Sequence, residues 1–121
     1  MKKTVVIGAS TNPSRYSYAA SHSLTDHGHE IVPISIKKGS VAGKDILNIQ
    51  DRPEIDDVDT VTMYVGYRNI IAYHDYIVSL KPERIIFNPG SENPELKKLA
   101  QSDGIETIEA CTLVMLSVGN Y

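Results

Sequence analysis

Residues 3 to 17 read KTVVIGASTNPSRYS and join a short apolar strand to a Gly-Ala-Ser turn and a polar loop. A helix is predicted to begin just after Arg15. Gly8 permits a sharp turn, and the start of the helix presents free N–H groups and the positive end of its dipole. This layout is typical of a phosphate-binding loop, so a nucleotide-like ligand is the first functional hypothesis.

The same loop offers further donors but lacks the full dinucleotide-binding pattern. Among its hydroxyl groups are those of Ser10, Ser14 and Ser17. The G-x-G-x-x-G motif needs glycine where this chain has Ser10 and Pro13. A plain tight turn between a strand and a helix is equally compatible with these residues, and both interpretations stand at this point.

Length and composition predict one globular domain, residues 1–121. The chain is 41% hydrophobic and has a net charge of −3, which argues against broad nucleic-acid or membrane contact but allows a local basic site. Cys111 is the single cysteine, which excludes an internal disulfide. No apolar run reaches the length of a membrane span, and the N-terminus lacks a signal-peptide pattern. We therefore expect a cytoplasmic protein.

Apolar runs rich in Val and Ile alternate with amphipathic stretches. Strands are predicted at Thr4–Ile7, Glu30–Ile36, Thr60–Val65, Arg84–Asn88 and Glu106–Ile108. Helices are predicted at Tyr16–His27, at Asn69–Leu80, from Ser91 to Gly104, and at Thr112–Val118. Residues 37–57 lack clear periodicity and are predicted to form loops with a short helical turn. The alternation indicates a three-layer α/β fold with a parallel five-stranded sheet and ligands beyond the carboxyl ends of the strands.

The loop after the second predicted strand discriminates between classes of nucleotide. NAD-binding units usually carry Asp or Glu at this point, whereas this chain reads ISIKKG over residues 34–39. Lys37 and Lys38 would pair with a phosphate on the ribose, as found in coenzyme A (CoA) or NADP. A solvated pair of loop lysines is an equally compatible interpretation.

Four stretches carry a resemblance to a known family. They are GAS at 8–10 with RYS at 15–17, HGH at 27–29 leading into VPI at 32–34, KPERIIFNPGSENPEL at 81–96, and GI at 104–105 through EACTL at 109–113. In order and over nearly the whole chain, they resemble the small stand-alone CoA-binding proteins. These proteins are similar to the N-terminal domain of the succinyl-CoA synthetase alpha subunit. The NPGSENPEL stretch at 88–96 is a specific part of the match.

The resemblance implies a Rossmann-like domain that binds CoA. It implies that the CoA pyrophosphate lies near Gly8, Ala9, Ser10 and Arg15. It implies that Lys38 holds the ribose phosphate and that Tyr64, Val65 and Gly66 lie by the adenine. Asn88, Pro89 and Gly90 are implied to border the pantetheine arm, and Ile34 and Ser35 are included among the CoA-binding residues.

The chain also departs from that family. Many members carry Asn-Pro or Ser-Pro just after the second strand, where this chain has Ser35-Ile36, so the path of the adenine loop is left open. The synthetase has a second domain with a phosphorylated histidine, to which nothing here corresponds. We therefore expect a CoA or acyl-CoA binding module without its own catalytic machinery, acting as a carrier, sensor or regulatory protein. The alternatives are a small NADP-dependent reductase and an acyl-CoA enzyme that uses Cys111 or Glu109.

Other residue groups predict no separate site. His22, His27 and His29 have spacings that suit no pair of helical ligands, so no metal site is predicted. Cys111 precedes an apolar run and is interpreted as a small buried residue rather than a nucleophile. Four tyrosines, Tyr64, Tyr67, Tyr73 and Tyr76, are compatible either with ordinary packing or with a homo-oligomer or protein partner.

Overall fold

A parallel sheet of six strands lies at the centre of the computed structural model, which describes residues Met1–Tyr121. In chain order the strands are β1 (Thr4–Ile7), β2 (Ile31–Ser35), β3 (Ser40–Val41), β4 (Lys44–Asp45), β5 (Leu47–Asn48), β6 (Thr60–Met63), β7 (Arg84–Phe87) and β8 (Glu106–Glu109). The order across the sheet is β5-β2-β1-β6-β7-β8, and every neighbouring pair is parallel. Strands β3 and β4 form a separate antiparallel hairpin.

Five α-helices and two short 3-10 turns connect the strands. The helices are α1 (Tyr16–Asp26), α2 (Tyr67–Ile70), α3 (His74–Ser79), α4 (Pro94–Ser102) and α5 (Thr112–Val118), and the 3-10 turns are Ile49–Asp51 and Ile71–Tyr73. Helix α4 begins where the sequence places its signals, because the Asn93 side chain accepts a hydrogen bond from Leu96 N and Pro94 occupies the first turn.

The helices cover both faces of the sheet. Because side chains alternate along a strand, successive residues pack on opposite faces. In β1, Val5 and Ile7 pack in the larger core cluster, which includes Ile77 of α3. Val6 packs in a smaller cluster with residues of α1 and α5. All four residues of β1 are buried, as expected for a central parallel strand. The predicted three-layer α/β, Rossmann-like fold is therefore confirmed.

The predicted number of five strands is wrong by one. The sixth strand, β5, pairs two residues with the end of β2, Leu47 with Ile34 and Asn48 with Ser35. It lies within the region that the sequence assigned to loops and a helical turn. The helical turn is present as the 3-10 turn Ile49–Asp51.

The predicted helix Asn69–Leu80 is also corrected. The segment starts earlier, at Tyr67, and consists of α2, a 3-10 turn and α3 rather than one continuous helix. The other predicted helices agree with α1, α4 and α5 to within a few residues, and Thr112–Val118 agrees at both ends. None of the helices has the length and apolar character needed to cross a lipid bilayer.

The strand order fixes where a ligand cleft can form. From β1 the chain proceeds outward to β2 and β5 on one side, then returns to β6, β7 and β8 on the other side. The connections therefore diverge between β1 and β6, and a crevice is expected outside the carboxyl ends of these two strands.

Candidate functional site

A cleft of about 600 Å³ lies at this divergence point. Its walls come from segments that follow four different strands, since Gly8 follows β1, Ser35 ends β2, Tyr64 follows β6 and Pro89 lies just beyond β7. The first turn of α1 contributes a further wall. The cleft is therefore built at the edge of the sheet that the topology predicts.

Most of the predicted site residues line this cleft. The structure brings ten of them together there, namely Gly8, Ala9, Ser10, Arg15, Ser35, Tyr64, Val65, Gly66, Pro89 and Gly90. Three predicted residues, Ile34, Lys38 and Asn88, are not among the sixteen that line it. Six further lining residues were outside the predicted set, namely Ser14, Tyr16, Ser17, Lys37, Asn69 and Ser91. The sequence signals the hydroxyls of Ser14 and Ser17, the charge of Lys37 and, through the NPGSENPEL stretch, Ser91, whereas Asn69 has no such signal.

Gly8 is required by the close approach of two loops. Its φ is +92°, and a Cβ there would lie 2.7 Å from Val65 Cγ2 and 2.8 Å from the Tyr64 carbonyl oxygen. The N–H groups of Gly8 and Ala9 both donate to the Ile34 carbonyl, at 2.8 and 3.1 Å. Gly8 thus fixes the floor of the cleft, while its own N–H is occupied and does not face a ligand.

Ile34 supports the floor from behind, because its side chain is fully buried while its carbonyl accepts these two hydrogen bonds. The loop beyond Ala9 is held by its own polar groups. Asn12 N donates to Ser10 Oγ at 3.0 Å, and Ser14 donates to Asn12 Oδ1 through its N–H and its hydroxyl, at 3.0 and 2.8 Å. The loop therefore enters α1 in a defined conformation.

The N-terminus of α1 faces the cleft without a side-chain cap. Arg15 occupies the cap position in an extended conformation, and no side chain accepts from the first N–H groups of the helix. Tyr16 and Ser17 of that first turn line the cleft. Uncapped N–H groups and the positive end of the helix dipole therefore face the cleft that Arg15 also lines.

The charge of the lining residues is positive. Arg15 and Lys37 line the cleft, and none of its sixteen residues is Asp or Glu, although the chain holds 15 acidic and 12 basic residues. Lys37 rather than Lys38 lines the wall, and its N–H donates to Ser35 Oγ at 3.3 Å. The loop that follows β2 also packs against the loop that follows β1, since a Cβ on Gly39 would lie 2.5 Å from Thr11 Cγ2. The cleft is therefore suited to an anionic ligand.

Asn88 joins three elements below the cleft instead of lining it. Its Nδ2 donates to Thr62 Oγ1 at 2.7 Å and to the Met63 carbonyl at 2.9 Å. Its Oδ1 accepts from Thr112 N at 2.9 Å, which ties the end of β7 to β6 and to the start of α5. The side chain is buried, so Asn88 positions the following residues.

Those following residues form the wall opposite the first loop. Ser91 N donates to the Asn88 carbonyl at 2.8 Å, and Gly90 N donates to Glu92 Oε1 at 2.8 Å. Gly90 has a φ of +89° with open space around the position of a Cβ. This wall is therefore held by one backbone hydrogen bond and by the Glu92 carboxylate, and it leaves room for a ligand beside Gly90.

A second, smaller cavity of about 240 Å³ adjoins the cleft. Tyr16, Tyr64 and Pro89 line both spaces. The Tyr64 hydroxyl is sealed from solvent and lies beside the Thr62 and Thr112 side chains. Burial raises the pKa of Tyr64 to about 12, so the phenol is protonated at neutral pH.

The remaining candidates are not brought together. His22 packs against Tyr18, whereas His29 Nδ1 accepts from Lys2 N at 2.8 Å, so the histidines have separate neighbours. No group of three or more His, Cys, Asp or Glu side chains is arranged to hold a metal ion. Tyr76 is buried and donates to the Pro53 carbonyl at 2.6 Å, so it packs within the domain rather than at a surface.

The chain is similar to known proteins over nearly its whole length. A family model described as a CoA binding domain matches residues 2–117. A solved structure described as an uncharacterized protein is 50% identical, with a TM-score of 0.96, and the match covers 100% of this chain and 98% of that chain.

More distant solved structures show the fold alone. A hypothetical protein from Pyrococcus horikoshii OT3 is 21% identical with a TM-score of 0.84, and the match covers 97% of this chain and 82% of that one. A protein from Thermus thermophilus is 19% identical with a TM-score of 0.82, with coverage of 99% and 90%. Among curated proteins, none matches this sequence.

Proposed function

The chain belongs to the family of CoA-binding domains, and from this premise we propose that it binds coenzyme A in the cleft at the carboxyl edge of its sheet. One observation supports this cleft as the binding site. In a chain with an excess of acidic residues, the cleft is lined by Arg15 and Lys37 and by no carboxylate. CoA carries a pyrophosphate and a ribose phosphate, so it requires this distribution of charge.

The pyrophosphate is proposed to lie against the loop from Ser10 to Ser17. Its support is the uncapped N-terminus of α1, which adds N–H donors and a favourable dipole to the Arg15 guanidinium. The Ser10, Ser14 and Ser17 hydroxyls line the same wall. Gly8 and Ala9 serve this site by setting the shape of the floor, because their N–H groups are already bonded.

The ribose phosphate is proposed to lie by the lysines that follow β2. Lys37 lines the cleft, and Lys38 is exposed next to it. Neither lysine takes part in the ion pairs of the chain, which involve Arg52, His74 and Lys97. Both ammonium groups are therefore available to a phosphate.

The rest of CoA is proposed to follow the arrangement that the family resemblance implies. Tyr64, Val65 and Gly66 lie by the adenine, and Pro89 and Gly90 border the pantetheine arm on the opposite wall. The support is that all five residues line one continuous cleft. Asn88 contributes by holding that wall to β6 and α5.

We propose binding without turnover, as in a carrier, sensor or regulatory protein. Neither of the two residues considered for catalysis is among the sixteen that line the cleft. The Glu109 carboxylate lies 3.9 Å from Lys97 Nζ, in a half-exposed ion pair. Cys111 precedes α5, is half-buried and lines the smaller cavity beside the cleft.

The experiment is a thermal-shift comparison of the ligand-free protein with CoA, dephospho-CoA, NADP and NAD. A ligand present at 100 times its dissociation constant should add about 2.7 kcal/mol to the free energy of unfolding. We expect CoA to stabilise most, dephospho-CoA less and NAD not at all. Equal stabilisation by NAD and CoA would contradict the proposal, and stabilisation by NADP above CoA would favour the small reductase.

A further inference from the structure

A polar cluster outside the cleft connects two of the segments that line it. One segment lies at the start of α2, where Gly66 and Asn69 line the cleft, and the other is residues 89–91, just before α4. The side chains that connect them, which we call the His74 cluster, are Tyr67, His74, Asn93 and Glu95. None of these four lines the cleft, so the cluster affects a ligand only through the position of the two segments.

The His74 cluster joins α2 and α3 to the N-terminus of α4. The Tyr67 hydroxyl of α2 donates to Glu95 Oε2 at 2.6 Å. His74 is the first residue of α3, and its Nε2 lies 2.9 Å from Asn93 Nδ2, while its Nδ1 lies 3.8 Å from Glu95 Oε1. His74 and Asn93 are 5% and 1% exposed, so water does not replace the hydrogen bond between them if it is lost.

The hydrogen bonds of Asn93 determine which ring nitrogen of His74 carries the proton. Asn93 caps α4, because its Oδ1 accepts from Leu96 N at 3.0 Å. The amide atom that faces His74 is therefore Nδ2, which only donates. Since His74 Nε2 must accept this hydrogen bond, the neutral ring carries its proton on Nδ1, on the side of Glu95.

A second proton on this ring is incompatible with the observed contacts. It would place an N–H donor at His74 Nε2 against the donor Asn93 Nδ2, across 2.9 Å. Rotation of the Asn93 amide would offer its oxygen to the ring but would remove the cap from Leu96 N. Protonation of His74 therefore requires the loss either of the contact between α3 and α4 or of the α4 cap.

The charged and titratable groups around His74 do not remove this conflict. Glu95 would attract a charged imidazole, but its side chain is 54% exposed and already accepts from Tyr67, so water screens the attraction. On α3 itself, the Asp75 carboxylate lies 3.3 Å from the Arg52 guanidinium and is paired with it. The two donors at the contact between His74 and α4 would still face each other.

We propose that His74 is a positioning residue whose neutral form holds the two segments in the ligand-binding arrangement, so that protonation of its ring weakens CoA binding. The proposal rests on the proposed function, because it describes regulation of the same cleft. Histidine is the side chain that changes charge between about pH 5 and pH 8. Loss of a helix cap shifts an equilibrium about fivefold, and a binding-competent fraction reduced to about one fifth weakens binding by the same factor.

The test is calorimetric titration of the full chain with CoA from pH 8 to pH 5, for the wild type and His74→Gln. The glutamine amide oxygen can accept from Asn93 Nδ2, but the amide does not take up a proton in this range. Toward pH 5, the wild type should lose about fivefold more affinity than His74→Gln. A phosphate monoester takes up a proton near about pH 6, so the same difference should also be found with dephospho-CoA, which lacks the ribose phosphate.

Two further variants separate this role from ordinary packing. Asn93→Asp keeps an acceptor for Leu96 N and presents an acceptor to the ring as well, so the additional loss at pH 5 should disappear. His27→Gln removes an exposed imidazole that does not line the cleft, and it should keep the wild-type pH profile. Urea denaturation confirms that the variants fold. Nitrogen-15 shifts of the imidazole ring in the wild type should place the proton of neutral His74 on Nδ1, and this measurement needs no variant.

The outcomes separate this inference from the proposed function. If CoA binds and the pH profiles of the wild type and His74→Gln coincide, His74 has a packing role only, while CoA binding stands. A neutral ring with its proton on Nε2, or an unchanged loss at pH 5 in Asn93→Asp, would also overturn the inference. If CoA binds at no pH, the proposed function fails, and the role of His74 fails with it.

Discussion

The two ends of the parallel sheet both carry basic side chains, and the chain uses them differently. At the amino end, Arg84 Nε donates to Thr60 Oγ1 at 2.8 Å, and its guanidinium lies 4.5 Å from the centre of the Tyr121 ring. Lys2 Nζ donates to the Tyr121 carbonyl at 2.6 Å. These cations are satisfied within the chain and serve its packing.

At the carboxyl end, the cations have no such partners. Arg15 and Lys37 are exposed, line the cleft and take part in none of the chain's ion pairs. The comparison shows that residue type alone does not reveal a binding site. A basic side chain indicates a ligand where its surroundings leave it unpaired and exclude carboxylates.

Among substitutions at the carboxyl edge of the sheet, Gly8→Val should lower the free energy of unfolding most. In Gly8→Val, the new Cβ would lie 2.7 Å from Val65 Cγ2 at a φ of +92°. We expect urea denaturation to show a loss of about 3 kcal/mol in the free energy of unfolding, from steric overlap and backbone strain together.

Gly90→Val is the matched control on the opposite wall. Its φ is similar at +89°, but nothing lies within 4 Å of the new Cβ. Backbone strain alone predicts a loss of about 1 to 2 kcal/mol. Equal losses in the two variants would show that the close approach of Gly8 to Val65 is unimportant.

Arg15→Ala and Arg84→Ala test whether the basic side chains at the two ends of the sheet have different roles. Loss of a charge-assisted hydrogen bond predicts about tenfold weaker CoA binding for Arg15→Ala, with stability retained to within about 0.5 kcal/mol. Arg84→Ala should cost about 2 kcal/mol of stability and leave CoA affinity unchanged, because its contacts lie at the far end of the sheet. Calorimetry and urea denaturation give both values, and the opposite pattern would refute the comparison.

The two lysines after β2 allow a finer test. Lys37 lines the cleft and Lys38 does not, so Lys37→Ala should weaken CoA about fivefold, while Lys38→Ala should have a smaller effect. The affinity for dephospho-CoA should fall less on Lys37→Ala, because dephospho-CoA lacks the ribose phosphate. A larger loss with Lys38→Ala would assign that phosphate to Lys38, as the family resemblance implies.

The smallest expected effect concerns pH. Burial raises the Tyr64 pKa from 10.0 to about 12, so the phenol ionises more readily in the unfolded chain. The stability associated with burying the neutral phenol is complete below pH 10 and declines as the pH rises toward 12. Between pH 9 and 11, the wild type should lose about 1 kcal/mol more stability than Tyr64→Phe. Parallel declines in urea midpoints would show that Tyr64 does not ionise differently in the two states.

Much of the fold could be predicted because buried parallel strands must be apolar. Strands β1, β6 and β7 each include a run of buried residues that the sequence shows directly. Strand β5 has only Leu47 and Asn48, and its pairing depends on the position of β2. Two residues carry no periodicity, so a sequence pattern could not identify this strand.

The divided helix has a similar explanation. The predicted helix Asn69–Leu80 contains neither Gly nor Pro, so nothing local predicts a break. In the structure, Arg52 Nη2 donates to the Ala72 carbonyl at 3.2 Å, within the 3-10 turn that separates α2 from α3. This contact spans twenty residues of sequence and becomes visible only in three dimensions.

The candidate site could be predicted where local motifs define it. The segment from Gly8 to Arg15 follows a strand and opens a helix, so its place at the sheet edge follows from the pattern. Which of Lys37 and Lys38 lines the cleft depends on the path of their loop in three dimensions, and that loop lies against Thr11 at Gly39. The burial of the Tyr64 hydroxyl depends on neighbours from distant segments, so sequence spacing could not predict it.

The most direct measurement of the central claim is a titration of isotopically labelled protein with CoA, followed by amide chemical shifts in two-dimensional NMR. The account predicts saturable shifts at Ser10 to Ser17, Lys37 and Gly90, with little change at Thr4 and Arg84. Shifts concentrated at the amino end of the sheet, or none at any CoA concentration, would contradict it.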